Sequence, residues 1–111
     1  MSSIFSQIIE RKLPAEIVWE SETVIAIKDI QPKAPVHLLI IPKKEVPDLQ
    51  SLQEEDLTIL QEVVKAAQIL AKEFGIEKGY RLLTNCGVPS GQTVFHLHFH
   101  LLGGKPLENL V

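Results

Sequence analysis

Residues 51–75 carry the longest apolar stripe of helical period in this 111-residue chain, and the apolar runs around it are strand-sized. Leu57, Leu60, Val64, Ala67, Leu70 or Ala71, and Phe74 recur every three or four positions, the spacing of a helix with one buried face. Ser51 and Glu54 stand where a capping box would open that helix, and Gly75 where it would end. Glu54, Glu55, Asp56, Glu62, Lys65, Lys72 and Glu73 fall mostly off the stripe and are expected to face water. A chain with one such helix must bury it on something, and the remaining apolar runs supply a sheet.

Glu16–Glu20 and Thr23–Lys28 are rich in Val, Ile and Trp and predict a hairpin through Ser21-Glu22. After the Pro-punctuated loop 29–35, His37–Ile41 is a continuous apolar run closed by Pro42, which predicts a strand buried on both faces. Tyr80–Asn85 and Val94–Leu102 read as two further strands joined by the loop 86–93. At the N-terminus, Ser2 or Ser3 can cap a short helix carrying Ile4, Phe5, Ile8 and Ile9, stopped before Pro14. The expected class is therefore α+β: a mainly antiparallel five-stranded sheet with one long and one short helix, in a single domain over residues 1–111. One long helix covers one sheet face, so the other apolar face calls for a partner, most simply a second copy related by a two-fold axis.

Composition excludes more than it selects. A formal charge of −3 gives no broad positive field for a nucleic-acid polymer. Met1–Phe5 lacks a basic leader pattern, and no apolar run approaches the roughly 20 residues that span a bilayer, so the expectation is a cytoplasmic protein without a membrane partner. The single cysteine, Cys86, can form no internal disulfide and is expected to be a loop thiol.

Chemistry concentrates in Val94-Phe95-His96-Leu97-His98-Phe99-His100-Leu101-Leu102. On an extended strand His96, His98 and His100 share one face and Phe95, Leu97, Phe99 and Leu101 the other. Imidazole, with an ordinary pKa of about 6.5, serves as acid, base or nucleophile near neutrality. Two neighbours roughly 6.8 Å apart could instead share a metal. That needs a third ligand, and beyond the one other histidine, His37, no carboxylate or thiolate is expected beside the triad, so metal ranks second. A plain polar strand face is the third reading.

The run His96-Leu97-His98-Phe99-His100-Leu101-Leu102 resembles the signature of the histidine triad superfamily, His-φ-His-φ-His-φ-φ with φ apolar. Ile4-Phe5 with Ile8-Ile9, Ala26 to Ile30 with Pro32 and Ala34-Pro35, His37 to Lys44, Gly79-Tyr80-Arg81, Gly91-Gln92 and Leu102 to Lys105 resemble its nucleotide-binding branch over nearly the whole chain. The resemblance implies a sheet extended across a two-fold dimer. It further implies hydrolysis of the phosphorus–nitrogen bond in purine nucleoside 5′-phosphoramidates or aminoacyl-adenylate-type adducts, with no cofactor and no metal. His98 would be the nucleophile, its other ring nitrogen held by a backbone carbonyl, and His100 a donor to phosphate oxygens. His96 would orient the others from the buried side, and His37 would complete the cluster through His98 or His96, or serve only as a core histidine. Thr93 stands where family members carry a serine near the leaving nitrogen. Asp29 would accept the ribose hydroxyls, unless it only forms an Asx turn. Ile4, Phe5, Ile8, Ile27 and Ile30 would sandwich the base, though most also suit an ordinary core. Asn85, Gly91 and Gln92 would steady the phosphate or ribose. The alternative functional class is a nucleotide-binding interaction module with weak or no catalysis.

Overall fold

The computed structural model describes residues 2–110; Met1 and Val111, the ends of the expected span, lie outside it. The elements run α1 Ile4–Ile9, β1 Ile17–Glu20, β2 Val24–Lys28, β3 Val36–Pro42, α2 Thr58–Glu73, β4 Tyr80–Leu83 and β5 Phe99–Gly103. The five strands form one sheet in the order β1-β2-β3-β5-β4, every neighbouring pair antiparallel. The α+β class and the strand count match the sequence expectation.

Period-two alternation sorts the central strands onto two faces. Val24, Ala26, Leu38, Ile40, Phe99 and Leu101 pack against Val63, Ala66, Ala67, Leu70 and Ala71 of α2, where three alanines let the helix lie close to the sheet. Ile25, Ile27, Leu39 and Ile41 point the other way and meet Phe5 and Ile8 of α1. The second apolar face is thus partly covered by the chain's own short helix, not left whole for a partner. His37 alternates with Leu38, and His100 lies between Phe99 and Leu101, so both imidazoles stand on the α1 face of the sheet.

Three local expectations are corrected. No capping box forms at Ser51 and Glu54: Asp48 instead caps a 3-10 turn at Leu49–Ser51, a second turn follows at Glu54–Asp56, and α2 starts only at Thr58. The buried stripe runs through Val63 and Ala66, whereas Val64 and Leu57 are each 49 % exposed. Asp56, expected in water, is buried and receives the Lys44 ammonium at 2.7 Å.

The largest departure concerns the last strand. β5 begins at Phe99, not Val94, so only His100 of the triad lies in the sheet. The reason is a long-range contact: the Leu97 N–H donates to Val46 O at 2.7 Å, which pulls the segment before Phe99 out of the ladder. Phe95, expected among the apolar backing, is 47 % exposed, while Leu97 is buried under α2. β4 likewise ends at Leu83, leaving Thr84 free to donate its hydroxyl to His98 O at 2.8 Å.

Candidate active site

The imidazoles are gathered by different devices. His37 and His100 sit on adjacent strands, where Leu39 pairs with His100 and Leu102 with His37, a diagonal placement within side-chain reach. His37 Nε2 lies 2.9 Å from His100 Nδ1, so it joins the cluster through His100 and not through the expected His98 or His96, and it lies 3.3 Å from Asp29 Oδ2. The Lys33 N–H donates to His37 Nδ1 at 3.0 Å, so that nitrogen is an acceptor and Nε2 carries the hydrogen toward His100. His100 then accepts at Nδ1 and keeps its own hydrogen on Nε2.

His96 and His98 come from the bent segment. His96 has no solvent exposure and donates Nε2–H to Pro42 O at 2.7 Å, while Ser3 Oγ lies 2.6 Å from its Nδ1. His98 donates Nδ1–H to His96 O at 2.7 Å, which leaves the lone pair on Nε2. The Phe5 ring meets His98 edge-on with centroids 4.9 Å apart, and His98 and His100 lie 5.2 Å apart.

Burial is the largest influence on all four rings and holds each below the ordinary imidazole pKa. The effect is strongest at His100, pushed down to about 4 by burial, then by the neighbouring His98 and His37, against a partial counterweight from Asp29. At neutral pH the cluster is uncharged and nucleophilic rather than cationic.

Beside the rings opens an apolar cavity of about 250 Å³ lined by Ile4, Phe5, Ile8, Ile27, Asp29 and Ile30, among others. This brings together every side chain expected to sandwich a base, and Ile30, 93 % exposed, forms its outer lip. The volume falls below the ~300–1,000 Å³ usual for a whole ligand site and suits a single flat ring system. Asp29 belongs both to this cavity and to a second, more open one of about 280 Å³ shared with Lys33, His37, Asn85 and His100. Its Oδ1 accepts the Gln31 N–H at 2.7 Å, so the Asx turn exists, and Oδ2 faces the imidazoles.

The loop before the triad divides its labour. Gln92 is buried and its amide ties the loop to its surroundings, accepting from Gly87 N–H and donating to Val94 O and, 45 positions away, to Pro47 O. Both of its amide hydrogens are thereby engaged within the chain. Gly91 sits at φ 105, a left-handed conformation that glycine takes without strain, and Thr93 follows it, exposed.

A carboxylate does lie beside the imidazoles, contrary to the sequence expectation: Asp29, His37 and His100 place one donor atom each within 4.8 Å of one another. The hydrogen-bond pattern nevertheless disfavours a metal there. A cation on His37 Nε2 would force the hydrogen onto Nδ1, donor against donor with the Lys33 N–H.

Sequence reasoning missed Ser3, Pro42 O, Thr84 and Glu45 as parts of the site. Only Ser3 had a signal, as a candidate helix cap; the others join it through long-range packing.

Over residues 2–108 the chain matches the family model described as scavenger mRNA decapping enzyme C-term binding. It is 53 % identical over 110 residues to an uncharacterised HIT-like protein of Chlamydia muridarum, covering 99 % of this chain and 87 % of that one. The chain belongs to the histidine triad (HIT) family. A solved HIT family hydrolase from Clostridium thermocellum superposes with a TM-score of 0.95 at 52 % identity, covering 99 % of this chain and 96 % of the other. A histidine triad nucleotide-binding protein from Candida albicans gives 0.82 at 31 % identity, covering 99 % and 87 %.

Proposed function

We propose that this HIT protein is a purine nucleoside phosphoramidase, releasing AMP or GMP and an amine from nucleoside 5′-phosphoramidates and aminoacyl-adenylate-type adducts. The observation that carries the reading is the His98 ring: its Nδ1–H is spent on the His96 carbonyl, which puts the lone pair on Nε2, and the ring packs on Phe5, a wall of the base-sized cavity.

In the first step His98 Nε2 attacks the α-phosphorus and the phosphorus–nitrogen bond breaks, the nitrogen leaving as the neutral amine with a proton relayed from solvent water through the Thr93 hydroxyl. In the second, water attacks the nucleotidyl-histidine, the phosphorus–His98 bond breaks, the proton that water sheds returns to solvent, AMP departs and the neutral ring is restored. His100, with its hydrogen on Nε2, donates to a nonbridging oxygen as negative charge is redistributed there. Asp29, at the junction of the two cavities, takes the ribose hydroxyls, and Ile4, Phe5, Ile8, Ile27 and Ile30 hold the purine. Asn85 lines the open cavity on the phosphate side. Names given to neighbours support this reading at a coarser level: one is a hydrolase and one a nucleotide-binding protein.

The test is amine and AMP release from an adenosine 5′-phosphoramidate, with and without chelator, by the native protein and His98→Ala. Chelator-resistant release that falls at least ~10³-fold in the variant, with AMP binding retained, is the expected outcome. Full activity in His98→Ala sinks the mechanism. AMP binding without turnover by the native protein would make it a nucleotide-binding interaction module.

A further inference from the structure

We propose that Ser3 is a positioning residue for the nucleophile: its hydroxyl caps the base-cavity helix and, by donating to His96, fixes the carbonyl that holds His98. The inference deepens the reading of His98 given above and rests on it.

The argument is one of hydrogen counting. Ser3 Oγ accepts the Ser6 N–H at 2.9 Å, the N-cap bond of α1. His96 Nε2 faces Pro42 O at 2.7 Å and must hold that ring's hydrogen, so Nδ1 is an acceptor and the one hydroxyl hydrogen of Ser3 goes to it across 2.6 Å. Glu45 steadies the donor, its Oε1 taking the Ser3 N–H at 2.9 Å and the Ser6 hydroxyl as well. His96 is wholly buried, and the other hydroxyl near its Nδ1, that of Ser6 at 3.5 Å, gives its hydrogen to Glu45, so without Ser3 the ring nitrogen loses its close donor where no water reaches, and the ring would gain by turning or exchanging its tautomer. The backbone of that same residue carries the acceptor for His98 Nδ1–H, 2.7 Å away. Three residues therefore tie the helix that supplies Ile4, Phe5 and Ile8 to the orientation of the attacking nitrogen, so base seating and nucleophile alignment share one hydroxyl.

The test compares Ser3→Gly, which keeps a competent N-cap without the hydroxyl, with Ser3→Thr, which keeps the hydroxyl. ¹⁵N NMR of the imidazole nitrogens in the full chain, without substrate, reads the tautomers directly. Wild type and Ser3→Thr should show His96 as Nε2–H and His98 as Nδ1–H. Ser3→Gly should show mixed tautomers at both rings and a kcat about tenfold lower for an adenosine phosphoramidate, with KM changed less than about twofold and most of the loss recovered in Ser3→Thr. An unchanged His98 tautomer in Ser3→Gly overturns the proposal, whether kcat holds or the loss falls on KM alone, which would make Ser3 only a cap. If Ser3→Gly loses its far-UV helix signal, Ser3→Asp is read the same way, being a strong cap with no hydrogen for His96. A wild-type protein that turns over no phosphoramidate defeats the catalytic reading, and the NMR comparison still decides what Ser3 does to the rings.

Discussion

Each of the four imidazoles has a partner that fixes which nitrogen bears the hydrogen: a carbonyl for His96 and His98, a backbone N–H for His37, and through it the order at His100. Two strong acids or bases are not needed when neutral rings are aimed this way, because the unfavoured tautomer would meet like with like. The carboxylate of Asp29 joins the set at 3.3 Å from His37 and keeps an oxygen toward the cavities. Asp29→Asn should weaken AMP binding about tenfold while affecting 2′,3′-dideoxy-AMP much less, measured by isothermal titration calorimetry, because a charge-assisted bond to a hydroxyl is worth about 1.5–3 kcal/mol. Equal losses for both ligands would remove Asp29 from the ribose role. Residue types and spacing announced the triad, and the family resemblance pointed to Asp29, the apolar slot and a carbonyl on His98; which carbonyls serve, and that the Lys33 amide does, carried no signal, since any residue could supply them.

At the level of elements, α2 shows how apolar periodicity alone can choose the wrong valine. Val63 and Val64 both fit a stripe, but the alanines Ala66, Ala67 and Ala71 set the helix face close to the sheet, and small residues weigh little in a hydrophobic pattern. Val63→Ala should cost about 1–3 kcal/mol by urea unfolding, a cavity and lost burial together, whereas Val64→Ala should stay within about 0.5 kcal/mol. The reverse order would restore the stripe read from the sequence. The β5 boundary has a similar cause: alternation continues from Phe95 to Leu101, yet Val46 claims the Leu97 amide and the ladder starts late. Gly103, in β5, shows how little room this side of the sheet leaves, since a Cβ there would lie 2.9 Å from the Ile76 side chain.

Across the whole molecule, four neutral histidines, His37 and His96 buried and His98 and His100 half-buried, make stability depend on pH. Their folded pKa values lie below the ordinary 6.5, so between the two values the unfolded chain binds more protons than the folded one, and stability rises with pH. The melting temperature should be flat above about pH 7 and fall steadily from about 6.5 towards 4, the value His100 approaches. His100→Asn should flatten that slope in calorimetry, and an unchanged slope would mean that the ring is charged in the fold. The sheet also ends in two strands with open edges, β1 and β4, and an antiparallel edge can pair with its own copy across a two-fold axis. Light scattering should give about twice the 12.4 kDa chain mass; a monomer at micromolar concentration would end the dimer expectation.

What the sequence determined was local and incomplete: strand-length apolar runs, one long helix, a capped short helix, and a triad of residues with a pKa suited to nucleophilic chemistry, but not the start of the long helix or of the last strand. These follow from periodicity and side-chain type, which neighbours along the chain express directly. Only the tertiary structure decided that His96 and His98 leave the sheet, that Asp29 and His37 arrive beside His100, and that Ser3 reaches His96 across 93 positions. Those outcomes depend on which distant amide, carbonyl or hydroxyl satisfies a buried polar group. Burial makes that pairing obligatory, but the choice of partner belongs to the packed fold and not to any stretch of the chain.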